Sequence, residues 1–136
     1  MRIAILGSGA AGSVFASYLK LGGADDITLV DLYKAHLDAI DEKGLTFLYP
    51  EGEITQTGFK TAASAAEIGI VDIAIVMVKC TQTVSVLEAS KNCIGPETVV
   101  CSLQNGLGRC YLIISSSAAL FSLPSVFPSI RVFSSE

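Results

Sequence analysis

"MRIAILGSGAAG", residues 1–12, opens the chain, and its two halves ask for different backbones. Ile3 to Leu6 is a short apolar run suited to a strand buried on both faces. Gly7, Gly9 and Gly12 break that run, and Val14, Phe15, Tyr18 and Leu19 then recur at helical spacing. Gly22 and Gly23 end the helix. Strand, glycine turn and helix in this order fit G-x-G-x-x-G. The first glycine permits a tight turn, the second lets the backbone approach a pyrophosphate, and the third lets the helix pack closely on the strand. The helix N-terminus adds free N–H groups and a partial positive charge. Gly7, Ser8, Gly9, Ala10, Ala11 and Gly12 are therefore the candidate dinucleotide cradle.

Outward from this loop, strand and helix patterns alternate. Ile27 to Val30 reads as a second strand, closed by Asp31. Tyr33, Leu37 and Ile40 form an apolar stripe on the next helix, with Lys34, Asp38 and Asp41 on its far side. Residues 45–60, "LTFLYPEGEITQTGFK", alternate and turn at "PEGE", which predicts a β-hairpin inserted after the second helix. Ser64 and Glu67 have capping-box spacing for a short helix. "VDIAIVMVK" (71–79) is an apolar strand ending on Lys79. Thr81 to Ser90 reads as a helix packing through Val84 and Leu87, and "ETVVCSL" (97–103) as a further strand leading into Gln104, Asn105 and Gly106. Such alternation predicts an α/β fold of Rossmann type: a doubly wound, mostly parallel sheet with an inserted hairpin. In such sheets the carboxyl ends of the strands build the ligand crevice. Gly7, Asp31, Lys79 and Asn105 all fall at such ends, so they should line one edge.

Asp31 lies about twenty residues past the glycines, where an acid accepts hydrogen bonds from the adenosine ribose hydroxyls of NAD(H). Asp also suits a helix N-cap, and the two roles can coexist. A carboxylate about 5 Å from a 2′-phosphate costs roughly 3 kcal/mol per phosphate charge at an effective dielectric near 20. Asp31 therefore favours NAD(H) over NADP(H), unless Lys34 compensates. Taken singly, Lys79 is a solvated strand end and Asn105-Gly106 a common turn dipeptide. Together on the crevice edge, an ammonium and an amide can hold the nicotinamide ribose and polarise a substrate oxygen. His36, the only histidine, borders the apolar face of its helix and reads as structural.

At 136 residues the chain is one domain long. It is 51% hydrophobic and 16% charged, with a mean hydropathy of +0.58, whereas soluble domains carry about 25% charged residues. A buried parallel sheet accounts for this, as does an uncovered interface with a partner domain. The second case predicts self-association. A net charge of −4 with no Lys/Arg cluster argues against nucleic-acid binding. Cys80, Cys93, Cys101 and Cys110 show no C-x-x-C pair and read as reduced thiols of a cytoplasmic protein, without a metal role. The amino terminus lacks the pattern of a signal peptide. Residues 110–130 carry no charge, but their serines, with Pro124 and Pro128, argue against a membrane span.

"MRIAILGSGAAG", "IVMVKCTQT" and "SLQNGLG", in this order and at these separations, resemble the amino-terminal domain of ketopantoate reductase (2-dehydropantoate 2-reductase). The family's glycine fingerprint falls on Gly7, Gly9 and Gly12, its V-K-x-x-Q motif on Val78, Lys79 and Gln82, and its Q-N-G motif on Gln104, Asn105 and Gly106. The resemblance covers roughly residues 1–109. It implies reduction of 2-dehydropantoate, or a related 2-keto acid, to the alcohol on the route to pantothenate and coenzyme A, with NADP(H) or NAD(H) as cofactor. Lys79 and Asn105 would then lie beside nicotinamide and substrate. Two departures stand out: the family commonly uses NADPH, against the preference expected from Asp31, and the proton-donating lysine of its helical second domain has no counterpart here. The family pattern fades after Arg109. This leads to the expectation of a dinucleotide-binding domain over 1–109 and an atypical serine-rich tail over 110–136, as a truncated or frame-shifted gene would give. Coding DNA beyond Arg109, read in another frame, should then resume family-like sequence. A dinucleotide-binding module or remnant without turnover is the alternative.

Overall fold

The computed structural model describes residues 1–50 and 52–104. Asn105, Gly106, Cys110 and the tail over 110–136 lie outside them. Five strands form one sheet: β1 (Arg2–Leu6), β2 (Asp26–Val30), β5 (Lys60–Ala62), β6 (Val71–Val76) and β7 (Ile94–Ser102). Their spatial order is β5-β2-β1-β6-β7, and every pairing is parallel. Between them run α1 (Ala10–Leu21), α2 (Lys34–Lys43) and α3 (Thr83–Ala89). The chain order reverses between β1 and β6, and that reversal is where open α/β sheets form their crevice.

Alternation along the strands divides the core in two. Ile3, Ile5, Ile27, Leu29 and Ile75 pack on one face with Ala16 of α1 and Ile40 of α2. Ala4, Leu6, Val30, Ala74, Val76 and Val100 pack on the other with Leu87 of α3. Helices thus cover both faces, as the apolar strands require. The hairpin forms as expected, with β3 (Leu45–Tyr49) antiparallel to β4 (Gly52–Gln56) in a sheet of its own.

Several expectations are corrected at the level of elements. The buried face of α1 is Gly12, Ser13, Ala16 and Ser17, while Val14 and Tyr18 are 43% and 57% exposed. The cause is the close approach of α1 to β1. A Cβ at Gly12 would overlap the carbonyl oxygen of Gly7, so the buried positions carry small side chains. Phe15 and Leu19 of the expected stripe do pack, partly buried, against the core. Tyr33 precedes α2 and is 68% exposed, leaving Leu37 and Ile40 as the buried stripe. β6 stops at Val76 rather than Lys79. The helix expected from Thr81 divides into a short 3-10 turn (Cys80–Gln82) and α3, which packs through Thr83 and Leu87 with Val84 outward. Ser64 does cap a short 3-10 helix (Ala65–Glu67), its hydroxyl accepting from the Ala66 N–H at 3.2 Å. β5 was not separated from the hairpin in the sequence.

Candidate functional site

Gly7 follows β1 directly and takes φ +101, in the region that side chains rarely adopt. Its N–H donates to the Val30 carbonyl at 2.8 Å, and a Cβ here would lie 2.7 Å from Val78 Cγ1. The loop therefore leaves β1 pressed between the ends of β2 and β6. At Gly9, the N-cap of α1, a Cβ would meet nothing within 4 Å among the described residues. The backbone there, φ −60 and ψ −168, is one any residue adopts. No protein contact and no strain demands glycine at this position. What the missing side chain leaves is room above the N-terminus of a twelve-residue helix, which fits a pyrophosphate lying on the loop.

Asp31, just past β2, serves the loop from the other side. Its Oδ2 accepts from the Ser8 N–H at 2.9 Å and its Oδ1 from the Tyr33 N–H at 3.0 Å. Tyr33, not Asp31, is the N-cap of α2. The carboxylate is half-buried and opens on the same crevice as the glycines. Lys34 pairs with Asp38 across one helical turn, Nζ to Oδ1 at 2.6 Å, and that carboxylate holds the Lys34 ammonium above its ordinary pKa. Lys34 therefore faces an acid of its own helix.

The crevice measures about 720 Å³, within the usual range of small-molecule sites. Gly7, Gly9, Ala10, Ala11 and Gly12 line it, as do Asp31, Val78, Lys79 and Gln82. Among the described lining residues Asp31 and Lys79 are the ionisable ones. Ser8 is fully buried and lies beneath the loop rather than on the crevice wall. Lys79 sits three residues beyond β6, in extended backbone ahead of the 3-10 turn.

His36, which reads from sequence as structural, and Gln104, part of the Q-N-G motif, make backbone ties whose partners the sequence does not indicate. His36 Nε2 lies 2.8 Å from the Ser8 carbonyl oxygen, and the Ser13 hydroxyl donates to that same oxygen at 2.8 Å. Gln104 ties the end of β7 to its neighbours: its Nε2 donates to the Val78 carbonyl, and the buried Thr83 hydroxyl lies 3.0 Å from its Oε1. Ser102 Oγ donates to Oε1 as well, at 3.2 Å. Gln104 thereby fixes the residue before Asn105 against the one before Lys79. No spacing in the sequence announces either arrangement, because the contacts of His36 with Ser8 and of Gln104 with Val78 and Thr83 join residues more than twenty positions apart.

Cys80, Cys93 and Cys101 are free, and burial pushes the thiols of Cys93 and Cys101 up. No helix among the described residues is long and apolar enough to cross a membrane.

Parallel strand order, a glycine turn at its reversal point and an acid at the end of the second strand define a Rossmann-type α/β domain. Residues 3–114 match the family described as ketopantoate reductase PanE/ApbA, and the chain belongs to that family. A 2-dehydropantoate 2-reductase of Mesorhizobium japonicum is 34% identical over 107 residues, 79% of this chain and 32% of that protein. One of Lactococcus lactis is 35% identical over 110 residues, 80% of this chain and 35% of that protein. Among solved structures, a ketopantoate reductase of the PanE/ApbA family from Ralstonia eutropha superposes with a TM-score of 0.75 at 27% identity, over 85% of this chain and 38% of that one. D-mandelate dehydrogenase with NADH and anilino(oxo)acetate gives 0.72 at 29% identity, over 85% and 37%. The chain spans about a third of the length of the curated relatives it matches.

Proposed function

We propose that the chain is the cofactor-binding part of an NAD(P)H-dependent reductase of 2-dehydropantoate or a related 2-keto acid, acting in pantothenate and coenzyme A biosynthesis. The observation that carries this is Gly9, a glycine that neither packing nor backbone strain requires, at the mouth of a crevice shared with Asp31 and Lys79. Membership of the ketopantoate reductase family supplies the reaction class.

The loop over Gly7–Gly12 would hold the pyrophosphate and Asp31 the adenosine ribose. When bound, the reduced nicotinamide supplies a hydride to the ketone carbon, and a proton must reach the oxygen. Lys79 would place its ammonium beside that oxygen and draw charge toward it. Asn105 would position the nicotinamide ribose, with Gly106 turning the backbone away. The proton donor is assigned outside this domain.

NAD(H) is proposed over NADP(H). The Asp31 carboxylate accepts two backbone N–H bonds and opens on the crevice, so a 2′-phosphate would face its negative charge. The compensating cation considered from sequence, Lys34, is paired with Asp38. Calorimetric titration with NADH and NADPH tests both claims. Saturable binding, tighter for NADH by at least about tenfold, is expected. Tighter NADPH binding would overturn the preference, and binding of neither would overturn the site.

A further inference from the structure

We infer that His36 is a positioning residue for the dinucleotide, acting through the Ser8–Gly9 peptide. The inference rests on the crevice binding a dinucleotide, as proposed above. A carbonyl oxygen only accepts, so Nε2 of His36 carries a proton and donates it to Ser8 O at 2.8 Å. The Ser13 hydroxyl donates to the same oxygen, and Asp31 Oδ2 accepts from the Ser8 N–H. Ser8 is thus held at both backbone polar groups, by side chains from three elements of the sequence. Its burial leaves it no water to exchange them for.

The consequence falls on the next residue. The Ser8–Gly9 peptide is trans, because no described peptide bond is cis. In a trans peptide C=O and N–H point in opposite directions. Drawing Ser8 O toward His36 and Ser13 turns the Gly9 N–H away from them, and Gly9 lines the crevice. Among the described residues that N–H has no partner. Gly9 O is engaged separately, accepting from the Ser13 N–H at 2.8 Å. His36 therefore aims one backbone donor at the place where a pyrophosphate oxygen would lie. It does so from α2, twenty-seven positions along the chain and without touching the ligand.

Binding of ADP-ribose and of adenosine to the full chain separates this role from a merely structural one. ADP-ribose carries the pyrophosphate and adenosine does not. His36→Phe keeps a flat ring and removes the donor; it should weaken ADP-ribose by about tenfold, the worth of one hydrogen bond to a charged group. Adenosine affinity should stay within about twofold. His36→Gln restores an N–H near the Nε2 position and should recover most of the loss. Ser13→Ala removes the second donor on the same oxygen. It should weaken ADP-ribose by a smaller factor, which keeps the test alive should the phenylalanine variant not fold. Unchanged ADP-ribose binding in both variants would overturn the inference while leaving the crevice intact, as would an equal loss for adenosine or no recovery with glutamine. A wild-type chain that binds no ADP-ribose would overturn the reading of the crevice itself and this inference with it.

Discussion

At Gly9 a Cβ would meet no atom of the described residues within 4 Å, whereas at Gly12 it would overlap the Gly7 carbonyl. The motif presents the two glycines alike, but their causes differ: one makes space for a ligand and the other for the protein's own backbone. Opposite outcomes follow on substitution. Gly9→Ser places a favoured N-cap residue on α1 in a backbone it readily adopts, so thermal unfolding should be unchanged or slightly raised. Its hydroxymethyl group would occupy the cradle, and NADH affinity should fall by more than about tenfold. Gly12→Ala should cost about 3 kcal/mol of stability or more, because the overlapped atom is backbone and cannot swing aside. A Gly9→Ser chain that binds NADH like the wild type would remove the main support for the crevice. Gly7, Gly9, Ala10, Ala11 and Gly12 on the crevice were legible because the motif names them, whereas Ala65, Val86 and Ser90 on its wall carry no motif. Ser8 is named with them yet lies beneath, and His36 reads as structural with no partner indicated. The sequence records that a histidine borders an apolar face, but not that the face is folded over a carbonyl.

Elements were legible where a pattern had one physical cause. β1, β2, β6 and the hairpin obey strand period and strand composition together, and they form. In α1 two causes compete. Large apolar residues at Val14 and Tyr18 point to one face, but the approach that Gly12 allows selects the face of Gly12, Ser13, Ala16 and Ser17. Proximity wins, since a bulky side chain on the inward face would have to push the whole helix off the sheet. β5 is the element least visible in sequence, three residues long and with one buried side chain, Ala62. It is joined to β2 by three residue pairs and by an ion pair, Lys60 Nζ to Asp26 Oδ1 at 2.7 Å. The Lys60 ammonium, hydrogen-bonded to Asp26, holds that carboxyl below its ordinary value. A carboxyl lowered in the folded state contributes stability that is complete above its unfolded pKa and is lost as the pH falls through the folded one. The pair is exposed, so its worth is small. Lys60→Met should lower stability near neutral pH by less than about 1 kcal/mol. In acid below the lowered folded-state pKa of Asp26, where the carboxyl is protonated in both chains, the difference should vanish. Chemical denaturation at the two pH values checks this, and a gap that persists in acid would show that Lys60 acts by packing rather than by charge.

On the scale of the molecule, the parallel, doubly wound sheet was legible through a rule about connections more than through any residue, whereas its strand order comes from the structure. Alternating strands and helices admit few parallel arrangements, and the one formed puts the glycine turn, Asp31 and Lys79 around the point of reversal. That convergence separates binding from turnover. Binding needs the loop, the acid and a crevice, all present in the described residues. Reduction needs in addition a proton at the ketone oxygen. Among the described residues the ionisable groups lining the crevice are Asp31, which accepts from two backbone N–H groups, and Lys79, proposed above to polarise the oxygen rather than to protonate it. The chain also spans about a third of the length of the reductases it matches. With the chain saturated by NADH, added 2-dehydropantoate should leave the reduced-nicotinamide absorbance flat, although calorimetry on the same sample shows the cofactor bound. Steady loss of that absorbance above the rate without protein would place a working proton donor within this domain. Lys79→Met would then decide between the two readings: abolished turnover with NADH affinity kept would make Lys79 that donor, and unaltered turnover would place it beyond the described residues.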